Sequence, residues 1–193
     1  MKTFFLTITF AFTTIFSIAQ TSEHISFKGV KIDGKLDEYV SKMKQNGFTH
    51  LGTEKGNAIL NGDFAGYKNC NVGVSTLSQN DLVYKISVLL PEQDKWSGLS
   101  SNYFELKQML IEKYGNPTDV VEKFDGYSEP KDDNRKMYEV KFDRCKYYSI
   151  WRTEKGQIKL AIDHSESSTC MVKLLYFDKI NSDKIKAKAK DDL

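Results

Sequence analysis

The chain has 193 residues, with 28 basic and 26 acidic side chains, 12% aromatic residues and three each of cysteine, histidine and proline. A formal charge of +2 gives no electrostatic reason to expect nucleic acid or an acidic membrane surface as partner. The length suits one domain or two small ones sharing an interface, and the scattered cysteines and histidines fit no metal-ligand spacing, so neither a metal nor another cofactor is expected.

The N-terminus reads MKTFFLTITFAFTTIFSIAQ. Lys2 precedes an uncharged apolar run from Phe4 to Ile18, and Ser17 and Ala19 hold small-residue positions. This pattern predicts a secretory signal peptide over residues 1–19, cleaved after Ala19. The run is too short and too rich in threonine to span a bilayer. No cysteine follows it to accept a lipid anchor. The chain is therefore expected to be exported, to the periplasm or beyond, with no membrane span after cleavage. An oxidising compartment permits one disulfide among Cys70, Cys145 and Cys170, leaving one thiol over. The spacing leaves all three pairings open.

A short β-type segment, Ile25 to Ile32, opens the remainder, and Asp33-Gly34 marks a turn. From Lys35 to Asn46, Leu36, Tyr39, Val40 and Met43 fall at i, i+3, i+4 and i+7, one face of a helix, and Gly47 is a natural stop. Short strands follow. Ala58 and Leu60 alternate with polar neighbours, and Cys70, Val72 and Val74 share one side. Leu82, Tyr84, Ile86, Val88 and Leu90 are read as facing one way, with Lys85 and Ser87 facing the other. A second helix is predicted from Asn102 to Tyr114, striped by Tyr103, Leu106, Leu110 and Tyr114, with Asn102 as cap and Glu105 as its capping-box partner. Gly115 and Pro117 end it. Strands return over Val120–Phe124, then, after a polar loop, at Tyr138, Val140 and Phe142, which alternate. Cys145–Arg152, Ile158–Ile162 and Cys170–Tyr176 complete them, and a short polar helix from about Ser182 follows. Trp96 is expected to plug the link between the halves.

The order is helix then strands, twice. The predicted fold class is α+β: two similar helix-plus-antiparallel-sheet units, residues 20–95 and 96–193, each helix lying across its own sheet and the units abutting. Strands joined by short turns need no parallel crossover, which argues against a doubly wound or barrel enzyme.

The stretch DFAGYKNC, residues 63–70, admits three chemistries. A phosphate cradle needs glycines leading into a helix N-terminus, and here a strand follows. A nucleophilic Cys70 with His50 or His164 as base needs an accessible electropositive site. Lys68 alone offers that, and Cys70 shares the inward parity of Val72. The reading that fits is a glycine-bent hairpin with its turn at Tyr67–Asn69, Phe64 packing inward and Cys70 in the core or in a disulfide.

No hydrolase or calcium-loop motif occurs, and the acidic pairs Asp37-Glu38, Asp132-Asp133 and Asp191-Asp192 read as solvated surface. The more suggestive group is aromatic: Tyr147, Tyr148 and Trp151 crowd one strand beside Arg152. Tyr147 and Trp151 share one parity, Tyr148 and Arg152 the other. One set packs inward, and the other sits on an open sheet face where such residues anchor partners. Tyr147 and Trp151 are taken as the candidate binding residues, against the alternative that they cover a neighbouring helix.

The phrases FKGVKIDGKLDEYV (27–40), GDFAGYKNCNVGV (62–74) and YFDKINSDKI (176–185) resemble a family of exported bacterial proteins that carries no assigned activity. In architecture the doubled helix-plus-sheet pattern is similar to β-lactamase inhibitor proteins, and to the outer-membrane assembly lipoproteins that hold one such unit. Those relatives bind proteins and do no chemistry. The chain lacks the lipid-anchor cysteine of the lipoproteins, and no motif carries over the inhibitors' contact residues, so the likeness is of fold alone. The expectation is an exported, soluble, non-catalytic binding protein with a protein or envelope partner and no nucleic acid. The alternatives are a small secreted hydrolase using a carboxylate pair and a structural or stress-related envelope protein.

Overall fold

The computed structural model describes residues 23–77, 81–126, 128–166 and 169–191. The expected leader, residues 1–19, lies outside the described residues. Ser26–Phe27 (β1) and Val30–Lys31 (β2) form a small hairpin, turned by Lys28 and Gly29, both at positive φ. Two consecutive left-handed residues are the mark of the tight hairpin turn whose twist matches the flanking strands. Leu36–Gln45 (α1) buries Leu36, Tyr39, Val40 and Met43, the face that the spacing predicts.

Thr49–Glu54 (β3), Asn57–Phe64 (β4), Tyr67–Leu77 (β5) and Leu82–Leu89 (β6) then run as an antiparallel meander. Trp96–Tyr114 (α2) follows. Next come Asp119–Phe124 (β7), Asp133–Lys141 (α3), Cys145–Thr153 (β8), Gly156–His164 (β9), Cys170–Asp178 (β10) and Lys179–Asp191 (α4). The fold is α+β, four helices on a large antiparallel sheet.

Eight strands form that sheet, in the order β3-β4-β5-β6-β10-β9-β8-β7. The first four strands and the last four meet edge to edge, β6 hydrogen-bonded to β10. Register carries rows of side chains across the whole sheet. One inward row runs His50, Leu60, Val72, Val88, Leu174, Leu160, Ser149, Val120. The apolar members of that row from Leu60 to Leu160 pack with the inner faces of α1, α2 and α3 and with the β1–β2 hairpin into one continuous core, while Val120 at the β7 edge is exposed.

Several predicted elements differ. Tyr138, Val140 and Phe142 lie in and just after α3 rather than in a strand. The Asp132 carboxylate accepts the Arg135 amide at 2.8 Å as N-cap, and Met137 and Val140, three apart, are the buried pair while Tyr138 and Phe142 are exposed. Helix α2 starts six residues before Asn102. Glu105, instead of capping, accepts Ser101 Oγ and the Tyr67 hydroxyl, and the Ser97 amide is served by Asp133 of α3 at 3.3 Å. The hairpin turn of DFAGYKNC is Ala65-Gly66, both at positive φ, two residues earlier than Tyr67–Asn69. Opposite it, Gly62 is required by the core: a Cβ there would stand 2.5 Å from the buried Phe48 ring. In β6 a bulge opposite Ser75/Thr76 resets the parity, so Val83 rather than Tyr84 or Leu82 faces inward with Ile86. Such a bulge places an extra residue on one strand and turns the following side chains over.

Candidate functional site: the open face of the sheet

Trp151 and Tyr147, the residues singled out in the sequence, lie on the covered face. Trp151 is 1% exposed, and its indole Nε1 donates to the Gly115 carbonyl at 2.8 Å, tying β8 to the end of α2. The Tyr147 ring packs edge-on to Trp96 at 5.1 Å and against Phe124 at 5.4 Å. Trp96, at the start of α2, thus sits in an aromatic cluster over β7 and β8. A surface anchor must be accessible, so Trp151 is a core residue and not a docking residue. Neighbouring side chains of a strand face opposite ways, and the partners of other parity, Tyr148 and Arg152, belong to the outer face.

That face can be read row by row. One row crosses every strand of the main sheet: Thr49, Asn61, Asn71, Leu89, Lys173, Ala161, Tyr148, Val121. The next runs Gly52, Ile59, Gly73, Ser87, Leu175, Lys159, Ile150, Asp119. A third brings Lys85, Phe177, Gln157 and Arg152 side by side. The centre is thus a run of Leu89, Leu175, Ile150 and Tyr148, with Ile59 exposed at the β4 side. Lysines stand among them. Lys159 Nζ lies 5.3 Å over the Tyr148 ring, Lys173 pairs with Asp163 at 2.9 Å, and Arg152 pairs with Asp119. Gly73 sits where a Cβ would meet Ser87 Oγ at 2.5 Å, keeping that row flat.

Helix α4 covers one end of this face. It turns back from β10 and borders, with Tyr84, Gln157 and Phe177 of the sheet and its own Ser182, Ile185 and Lys186, an open cleft of about 540 Å³. Its start is fixed by a buried polar knot. Asp178 is fully buried; its carboxylate accepts the Ile25 amide at 3.1 Å and the Asn181 amide at 2.8 Å. Asn181 Nδ2 donates to Val83 O at 2.8 Å and to Asp33 Oδ1 at 3.0 Å. His24 bridges the two carboxylates, Nδ1 3.0 Å from Asp178 and Nε2 3.4 Å from Asp33, the former at an angle that makes no hydrogen bond. Burial works against the Asp33 charge, but the hydrogen bonds from Asn181 and the Gly34 amide, with His24 nearby, hold its carboxyl below the ordinary aspartate range.

The cysteines are placed for packing. None is in a disulfide. Cys70 is buried, and its thiol contacts the Tyr67 carbonyl at 3.8 Å. Burial raises the Cys70 and Cys170 thiols and pushes Cys145 up to about 12, the reverse of thiolate activation. The imidazoles that might have served Cys70 are engaged elsewhere: His50 with Thr53 at 2.9 Å, His164 with the Ser165 carbonyl at 2.9 Å and Asp143 at 3.3 Å. Among the described residues no group of three or more potential ligands gathers to hold a metal, and no helix is long and apolar enough to cross a membrane.

A smaller exposed patch escaped the sequence reading because its segment reads as a strand. On and beside α3, the guanidinium of Arg144 lies over the exposed rings of Tyr138 and Phe142, and Arg135 lies over Tyr138. Both arginines pair with the buried Glu139. No family model matches the chain, and comparison with curated proteins and with solved structures finds no match.

Proposed function

We propose that this chain is an exported, non-catalytic binding module of two similar helix-plus-sheet units, residues 20–95 and 96–193, that docks a protein partner of the envelope on the open face of its sheet. The observation that carries this reading is the composition of that face: Leu89, Leu175, Ile150 and Tyr148 in adjoining registered rows, with Lys85, Lys159 and Arg152 among them. Tyrosine and arginine are enriched among the residues that supply hot-spot energy at interfaces, apolar neighbours exclude water around them, and a surrounding charge sets orientation and on-rate. The matching partner surface has an apolar centre and carboxylates around it. The two-unit reading is supported by strand order, four strands after α1 and four after α2, and by the start of α2 at Trp96. Export rests on the sequence of residues 1–19.

The test is co-purification from envelope extract with three forms of the protein: wild type, Leu175→Asp on the open face, and Met109→Asp on the exposed side of α2. A partner held by wild type and Met109→Asp but lost by Leu175→Asp supports the reading. A partner retained by Leu175→Asp and lost by Met109→Asp moves the site to the helical side.

A further inference from the structure

The two ends of the sheet are not alike. At one end β3 is interrupted by a bulge between His50 and Gly52, one of the devices that keep an edge from pairing. At the other end β7 pairs with β8 in unbroken register from Asp119 to Phe124, carries Val120-Val121 at its centre, and has no strand of the described residues on its far side. We infer that the β7 edge is a homodimer interface, a second copy of the chain adding its own β7 antiparallel across a two-fold axis at Val121.

The hydrogen-bond phase of β7 and its charges select that register together. The Asp125 amide donates at 2.7 Å to the carbonyl of Arg144, the residue just before β8. In an antiparallel ladder the residues bonded to one neighbour alternate with those pointing away. Asp119, Val121 and Lys123 therefore spend their backbone groups on β8, and Val120 and Glu122 present theirs to the open side. An antiparallel partner must pair those presenting residues with each other. With the axis at Val121, Val120 bonds Glu122 of the second copy and Glu122 bonds its Val120, while Asp119 faces Lys123 of the second copy, twice by symmetry. Moving the axis one residue to Glu122 keeps the hydrogen-bond phase but sets Glu122 against its own copy and Asp119 against Asp125. Opposite charges directly across a strand pair stabilise and like charges destabilise, so the first register wins.

The charges at this edge are also incomplete in the single chain. Lys123 lies directly opposite Lys146 on β8. Lys146 is answered by Asp125 at 3.7 Å and the Asp143 carbonyl at 2.6 Å, whereas Lys123 meets no carboxylate among the described residues. Asp119 holds Arg152 and Thr118 through Oδ2, which leaves Oδ1 for an incoming ammonium. The contact is isologous, the closed two-fold type in which the same patch serves both subunits. It carries the outward row that ends Ala161, Tyr148, Val121 into the second copy's Val121, so two open faces become one sheet. The dimer stands independently of whether that face takes a partner.

The test is sedimentation equilibrium on the protein purified from producing cells, from low-micromolar to near-millimolar concentration. Wild type is expected to dimerise. Asp119→Lys alone and Lys123→Asp alone each place two like-charge pairs across the axis and are expected to weaken dimerisation by about tenfold or more. Mixed together, the two variants restore both opposite-charge pairs and are expected to form a heterodimer that neither forms with itself. Val120→Pro provides a backbone test. It removes an amide that points away from β8, so its melting temperature stays near wild type while the dimer is lost. A wild type that remains monomeric, a variant mixture that associates no better than its components, or a folded Val120→Pro that dimerises as wild type overturns the inference.

Discussion

The two faces of the sheet are built from the same strands and differ in what covers them. On the covered side, one row reads Leu60, Val72, Val88, Leu174, Leu160 without a charge; the outward row alongside reads Asn61, Asn71, Leu89, Lys173, Ala161. The covered side is sealed by α1, α2 and α3 and by the Trp96–Phe124–Tyr147 rings. The outer side has α4 over one end. Because successive residues alternate faces, a substitution and its immediate neighbour ask opposite questions of the molecule: one asks about the core, the next about the open face.

Trp151 and Tyr148 give the largest contrast. Trp151→Ala removes a buried ring and leaves the Gly115 carbonyl without its donor, and is expected to cost about 3–5 kcal/mol. Tyr148→Ala on the outer face is expected to cost about 1 kcal/mol or less. Urea denaturation midpoints compare the two directly, and similar losses would erase the distinction between the faces. Asp178→Ala comes next. It strips the acceptor from the buried Ile25 and Asn181 amides, at about 1–3 kcal/mol for each group left unsatisfied. It should also speed amide exchange in α4, since the same carboxylate fixes that helix to β10. Gly62→Ala forces the Phe48 ring aside and is expected to destabilise by about 1–3 kcal/mol, the usual cost of overpacking. A melting temperature unchanged by Gly62→Ala would show that Phe48 has room to move.

The smallest expected effect is on pH dependence. Asp33 has its carboxyl held below the ordinary range in the folded chain. A depressed folded value means stabilisation that is present above the unfolded value and lost as pH falls through the folded one. Asp33→Asn should therefore lower stability at neutral pH and leave the acid end little changed, so that the fall from neutral to acid becomes shallower. A profile equally steep in both forms would remove Asp33 from the account.

Much of this arrangement was legible in the chain. The α1 stripe and the inward parity of Cys70, Val72 and Val74, and of Ile158, Leu160 and Ile162, follow from period alone, because each stretch meets its core without interruption. Tyr84 was misread because a bulge shifts parity and leaves no mark in composition. Helix α3 was misread because Tyr138, Val140 and Phe142 alternate like a strand, while the capping Asp132 and the Met137–Val140 spacing carry the weaker helical signal. The pairs Lys28-Gly29, Lys55-Gly56 and Ala65-Gly66, all at positive φ, mark tight hairpins that their glycines alone suggest. The candidates Tyr147 and Trp151 lie on the covered face, with Trp151 buried. Sequence separates Tyr147 and Trp151 from Tyr148 and Arg152, but which set faces the helices depends on β8 lying beneath α2. The edge-to-edge seam of β6 and β10 joins residues some ninety apart and has no local signature.

The most direct test of the docking face is site-specific photo-crosslinking in intact producing cells, with the probe placed in turn at Leu175 and Ile150 on the open face and at Met109 and Phe104 on the exposed side of α2. Discrete crosslinked species from the first two positions and none from the others are predicted. Crosslinks confined to Met109 and Phe104 would contradict the account.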